Sequence, residues 1–267
     1  MSALHVESVG AGPPLVLLHG FALHGGLFAP VVPQLARTHR VHVVDLPGHG
    51  HSAGGAASLD EMTSAVAKVL QALPAPARIL GWSLGGMVAQ HVALEHPALV
   101  AALLLVCTTP RFVTAPDWPQ AMAPETLARF GDELRVAYRA TLQRFLTLQV
   151  QGRGDGGAMP RDVLATLRAS LFARSPPAAA ALAAALAVLA ETDLRRDVVR
   201  IGAPTLVVTG PRDALTPAAA GEWLAAHIPG ARHAGVAGAA HAPFLSHPVA
   251  FGAAVQEFLD DVHASAI

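Results

Sequence analysis

Ser83 stands in the run Gly81-Trp82-Ser83-Leu84-Gly85-Gly86, between the apolar stretch Ala77 to Leu80 and the helical pattern Met87 to Glu95. A serine on a sharp strand-to-helix turn presents its hydroxyl clear of the sheet, and flanking glycines leave room for the tight backbone. Such a hydroxyl is a weak nucleophile at neutral pH and needs a base within hydrogen-bond reach, a task suited to imidazole. His241, in Ala239-Ala240-His241-Ala242-Pro243, is the candidate base, and Asp213, in Gly210-Pro211-Arg212-Asp213, the carboxylate that would orient it. The chemistry these residues imply is acyl transfer through a serine ester. It also requires two N–H donors for the developing oxyanion. Leu84, just after the serine, would supply one, and Phe21, in His19-Gly20-Phe21, the other. His19 and Asp45 are read as braces of their loops. His49 and His51 lack a convincing zinc spacing, and the glycine run lacks the lysine of a phosphate loop, so neither metal nor organic cofactor is expected.

These residues must be positioned by a scaffold, and the apolar pattern supplies one. Short runs at Leu15 to Leu18, Val41 to Leu46, Ile79-Leu80, Leu103 to Val106 and Thr205 to Thr209 end at glycine, proline or threonine, as buried parallel strands do. Helical patterns alternate with them at Phe28 to Arg37, Leu59 to Leu73, Met87 to Glu95, Pro217 to His227 and Val249 to Val262. The alternation predicts an α/β fold with a doubly wound, mostly parallel sheet, whose ligands sit at the carboxyl ends of the strands. It lapses between Arg111 and Arg196, where only helical patterns occur (Glu125 to Gly131, Leu134 to Gln149, Arg161 to Phe172, Ala178 to Leu189). The expectation is a core of residues 1–110 and 197–267, with 111–196 inserted as a helical cap over the site.

A chain of 267 residues suffices for one large α/β domain with such an insertion. The net charge of −1 argues against general nucleic-acid binding. The longest apolar run, Ala178 to Ala190, is too short to span a bilayer, and the N-terminus carries neither a basic nor an apolar signal region. Cys107 is the only cysteine; it cannot form an intrachain disulfide and reads as a small core residue. These points predict a cytoplasmic location and no membrane partner; a monomer is expected. Charge is uneven: the segment from Arg111 to Arg196 holds 11 arginines against 8 acidic residues, and the remainder is net acidic.

Leu17-Leu18-His19-Gly20, Asp45-Leu46-Pro47-Gly48-His49-Gly50-His51-Ser52 and the Ser83 turn together resemble the α/β-hydrolase superfamily, in which serine, aspartate and histidine follow one another in this chain order. Leu80 to Gly86, Arg144-Phe145-Leu146-Thr147-Leu148-Gln149 and Ala239 to Pro248 resemble, more narrowly, the pimeloyl-[acyl-carrier protein] methyl ester esterase family of biotin synthesis. The resemblance implies a serine carboxylesterase whose partner is an acyl carrier protein bearing the ester. It implies substrate contacts at Phe21, Ser83, Leu84, Phe145, Leu146, Thr147, Leu148, Gln149 and His241. Where family members can have tryptophan after the His-Gly pair, this chain has Phe21. Arg139, Arg144, Arg153 and Arg161 are candidates to meet the acidic carrier. The same triad would serve a broad small-ester carboxylesterase or an enol-lactonase, and a receptor without catalysis is the rival from another class.

Overall fold

The computed structural model describes residues 3–150 and 168–265. Seven strands form one sheet: β1 (Val6–Val9), β2 (Pro14–Leu18), β3 (Arg40–Val44), β4 (Ala77–Trp82), β5 (Val100–Val106), β6 (Thr205–Thr209) and β7 (Arg232–Gly235). Their order is β1-β3-β2-β4-β5-β6-β7. Only β1 pairs antiparallel, with β3; every other pairing is parallel. Strands β2, β4 and β6 are buried along their whole length, which is why their sequences are mostly apolar rather than alternating, Arg78 in β4 being a buried charge. The two edge strands escape the sequence pattern for the opposite reason. Val6–Val9 and Arg232–Gly235 are largely exposed and polar.

The described residues include helices α1 (Val32–Leu35), α2 (Leu59–Gln71), α3 (Leu84–Glu95), α4 (Pro124–Val150), α5 (Ala179–Glu191), α6 (Ala218–His227), α7 (Pro243–Ser246) and α8 (Pro248–Ser265). Helix α2 begins where Ser58 and Glu61 form a reciprocal cap, the serine Oγ accepting from Glu61 N and the glutamate accepting from Ser58 N. The helix expected over Phe28 to Arg37 is shorter than its periodicity. Pro30 withholds an N–H, and the chain makes a 3-10 turn over Gly25–Phe28 and then only the short α1.

The two helical patterns expected at Glu125 to Gly131 and Leu134 to Gln149 are one helix, α4, broken at Ala137 (φ −141°, ψ 55°). Across the break, Thr141 Oγ1 donates to the carbonyl of Glu133 at 3.1 Å. Helices α4 and α5 lie in the sequence between β5 and β6, and they pack on each other.

Candidate active site

Ser83 joins β4 directly to α3 with backbone angles φ 55°, ψ −118°, a region that side chains avoid. The glycines explain how the turn closes. A Cβ on Gly81 would lie 2.4 Å from the Gly85 carbonyl oxygen, and one on Gly85 would lie 2.3 Å from the Leu18 carbonyl oxygen. Both positions therefore accept only hydrogen. The strained turn is held from outside by Ser83 N donating to Val106 O (3.0 Å) and Thr108 Oγ1 donating to Ser83 O (2.7 Å).

Asp213 follows β6 and His241 follows β7, so both rise from the same end of the sheet as Ser83. The Nδ1–H of His241 donates to Asp213 Oδ2 at 2.7 Å. The other carboxylate oxygen accepts the backbone N–H groups of Leu215 (2.8 Å) and Thr216 (2.9 Å), and Thr216 Oγ1 donates to Oδ2 at 2.5 Å. Burial pushes this carboxyl up, but His241 and the Thr216 donors outweigh it and hold Asp213 below its usual range, ionised. With the proton fixed on Nδ1, the imidazole Nε2 is left as an acceptor. Trp82 Nε1–H donates to the His241 carbonyl at 2.8 Å and fixes the backbone of that loop to β4. Sequence reasoning missed Thr216 and Trp82, because a threonine before a proline and a tryptophan beside a glycine carry no chemical signature of their own.

Cys107 closes β5 with φ 44°, and its sulfur lies within 4.8 Å of the ligand atoms of Asp213 and His241. Full burial, followed by the Asp213 charge, pushes its thiol well up. It is therefore an inert neutral thiol packed behind the carboxylate.

The loop after β2 brings Gly20 and Phe21 against the serine. A Cβ on Gly20 would stand 3.3 Å from Ser83 Cβ. Leu84 is the first residue of α3, so its N–H has no acceptor within the helix. His19 braces this loop: its Nδ1–H donates to Gly20 O (2.8 Å) and its Nε2 accepts from Leu46 N (3.0 Å). Burial, then neighbouring His49, drives its pKa down to about 3, so it stays neutral.

Ser83 and His241 open onto a cavity of about 200 Å³, roofed by Phe130 and Phe145 of α4 and Leu189 of α5. Phe21 also lines it. Of the remaining segment, Leu146 is buried in the hydrophobic core and Thr147 Oγ1 donates to Gln143 O (2.8 Å). The side chains of Leu148 and Gln149, together with Arg153 and Arg161, lie outside the described residues. Arg144 pairs with Glu133 at 2.8 Å and Arg139 stacks over the Phe172 ring at 4.7 Å; both are exposed.

Residues 13–248 match the family model for the alpha/beta hydrolase fold. The chain is 46% identical over 259 residues, 97% of its length and 100% of the relative's, to the pimeloyl-[acyl-carrier protein] methyl ester esterase of Xanthomonas axonopodis pv. citri. It is 45% identical over 233 residues to the enzyme of the same name from Nitrosomonas europaea, covering 87% of this chain and 90% of that one. The chain belongs to this esterase family, within the α/β hydrolases. Among solved structures, the enol-lactonase of Burkholderia xenovorans LB400 superposes with a TM-score of 0.82 at 25% identity, covering 96% of each chain.

In this family member the expected loop brace at Asp45 has a further partner that sequence alone did not indicate. The fully buried Asp45 carboxylate accepts from Gly25 N and His51 N, both at 2.8 Å, and pairs with the Arg174 guanidinium. Gly50 (φ +56°) is glycine because a Cβ there would meet this carboxylate at 2.2 Å. Arg174 also pairs with Glu7 at 2.5 Å, and His24 Nε2–H donates to Ser170 O at 3.1 Å. These contacts fasten residues 170–174, ahead of α5, to β1 and to the loops after β2 and β3. They span 129 and 146 residues of sequence, too far for any local pattern to reveal.

Removing one partner of a buried pair strands the other charge, at a cost of about 3–5 kcal/mol. Arg174→Gln is therefore expected to lower the denaturant midpoint by the equivalent of about 3 kcal/mol at unchanged slope. Burial pushes the Asp45 carboxyl up, but the His51 and Gly25 N–H groups and Arg174 together hold it below its usual range. A depressed folded-state pKa stabilises the fold at pH values above the unfolded carboxyl's, roughly 3.9, and the benefit fades as pH falls through the folded value. The difference between Arg174→Gln and wild type should accordingly be full at neutral pH and shrink in acid. A difference that grew on acidification would contradict this account.

Proposed function

We propose that this chain hydrolyses the methyl ester of a pimeloyl group carried on acyl carrier protein, releasing methanol and the carrier-bound acid in biotin biosynthesis. The observation that carries this reading is the hydrogen-bonded Asp213–His241 pair opening onto the same cavity as Ser83. It occurs in a chain 46% identical, over nearly its whole length, to an esterase of that name. The enzyme works in the cytoplasm as a monomer, with residues 111–196 as a lid over residues 1–110 and 197–267. No described helix is long and apolar enough to cross a membrane.

Ser83 Oγ attacks the ester carbonyl carbon as His241 Nε2 takes its proton, and the N–H groups of Phe21 and Leu84 hold the oxyanion. Collapse of the tetrahedral intermediate expels methanol, protonated by His241. Water, deprotonated in turn by His241, attacks the acyl-enzyme and regenerates the serine. Asp213 stays ionised and supports the imidazolium at each step. The apolar roof at Phe145 accepts the methylene chain of the acyl group.

The deciding experiment compares kcat/KM for carrier-bound pimeloyl methyl ester with that for short p-nitrophenyl esters. Preference for the short esters with no carrier-bound turnover would favour a second reading, a broad small-ester carboxylesterase or enol-lactonase, which the likeness to the Burkholderia enzyme supports. Failure of a fluorophosphonate to label Ser83 would point instead to a receptor without catalysis.

The acidic carrier is proposed to be met by Arg139, Arg144, Arg153 and Arg161. Reversing all four charges should lower kcat/KM for the carrier-bound ester by about 10-fold or more at low ionic strength, with the gap narrowing as salt screens the contact. Short free esters should change far less. Equal losses for both substrates would remove the docking role.

A further inference from the structure

His5 and Glu7 flank Val6 at the start of β1, so their side chains project from one face of an extended chain, and His5 Nε2 lies 3.0 Å from Glu7 Oε1. His51, in the loop after β3, stands beside them, its ring edge-on to that of His5 at 4.8 Å between centroids. The ligand atoms of the three side chains lie within 4.8 Å of one another. His51 has no ligand partner within its own loop; the pairing of β1 with β3 brings two to it. The backbone beneath the cluster is fixed. Asp45 N donates to His5 O (3.1 Å), His5 N to Ser52 Oγ (2.8 Å) and Ser52 Oγ to Asp45 O (2.6 Å), so the strand and the turn that carries His51 hold one geometry.

We propose that His5, Glu7 and His51 form a surface site for a divalent transition-metal ion of the zinc class. Two imidazoles and a carboxylate are a donor set that zinc accepts, with the remaining position left to water. Two ligands on a tetrahedral zinc ion stand roughly 3.3 Å apart, close to the spacing His5 and Glu7 already have. Rotation of the exposed His51 side chain supplies the rest of the approach. The local charge favours a cation. Arg174 pairs with both Glu7 and Asp45, and two carboxylates against one guanidinium leave a net negative charge. Asp45 is not a ligand, because its oxygens are taken by Gly25 N, His51 N and Arg174. The ion ties the first strand to the turn after β3 and takes no part in acyl transfer. None of its ligands lines the cavity at Ser83, so the site stands independently of the proposed esterase reading.

The test is calorimetric titration of the full chain, free of any affinity tag, with zinc chloride, repeated with cobalt(II) to read the coordination from its visible absorption. Wild type should bind one equivalent. His5→Gln and His51→Gln should each weaken binding by about 10-fold or more, since even groups that only support a metal ligand contribute about 10–100-fold. Both should keep wild-type ester turnover in metal-free buffer, so that a lost isotherm is not a lost fold. His263→Gln, in the last turn of α8, should bind as wild type does. Magnesium should not compete, because it takes oxygen ligands in octahedral geometry. Absence of saturable binding below about 1 mM zinc would overturn the inference. So would a wild-type isotherm that persists in the double variant His5→Gln/His51→Gln. That second result would place the ion on other ligands, such as the buried cluster of Cys107, Asp213 and His241, where zinc would also inhibit ester turnover.

Discussion

Ser83→Ala is expected to abolish ester hydrolysis, lowering kcat by about 10⁶-fold while leaving the circular dichroism spectrum intact. The size follows from the division of labour. Without Oγ no acyl-enzyme forms, and only the N–H donors and binding remain, which retain roughly 10³–10⁴ over the uncatalysed rate. The prediction has a companion in stability. Ser83 is held at φ 55° by hydrogen bonds to its backbone from Thr108 and to Val106, so the strain belongs to the turn and not to the hydroxyl. Alanine keeps that strain and glycine relieves it. Ser83→Gly should thus be as inactive as Ser83→Ala yet more stable by about 1 kcal/mol. Residual activity above about one hundredth of wild type in either variant would mean that another group carries the acyl chain.

Asp213→Asn should cost about 10⁴ in kcat with the fold unchanged, because it reverses the tautomer of His241. The surroundings dictate which way the new amide points. Oδ1 accepts the backbone N–H groups of Leu215 and Thr216, so the amide oxygen must take that place. The amide nitrogen then faces His241 Nδ1 and Thr216 Oγ1 and donates where the carboxylate accepted. His241 must turn Nδ1 into an acceptor, which moves its proton to Nε2 and leaves nothing there to receive the proton of Ser83. Fluorophosphonate labelling of Ser83 should slow in parallel with ester turnover. A loss below tenfold would show that Thr216, 3.2 Å from Nδ1, maintains the working tautomer without the carboxylate.

The central strands and the order Ser83, Asp213, His241 were legible because the buried strands write mostly apolar runs and Ser83 and Asp213 stand just beyond two of them, with His241 later in the chain. The edge strands were not, since a half-exposed ribbon such as Arg232–Gly235 has no apolar run to read. Glycines in the Ser83 turn could be interpreted in advance because their constraint is local. The contacts of Arg174 and Thr216 could not, since their partners are set by how the segment between β5 and β6 settles on the sheet. Cys107 was placed in the core correctly, but its position behind Asp213 depends on the pairing of β5 with β6, which no single stretch of sequence reports.

That pairing has an evolutionary consequence. Strands β5 and β6 hydrogen-bond as neighbours from Leu103 and Thr205 onward although α4 and α5 lie between them in the chain. Chain-closure entropy rises only with the logarithm of length, so stretching an ordinary connection tenfold, to about 100 residues, costs roughly 2 kcal/mol. The three reactive residues are anchored outside that connection, at strand ends the sheet holds in register. The stretch between β5 and β6 can therefore be lengthened, shortened or rewritten by drift without moving the nucleophile, base or acid. A lineage built this way can acquire new substrates by exchanging one module while inheriting its chemistry intact.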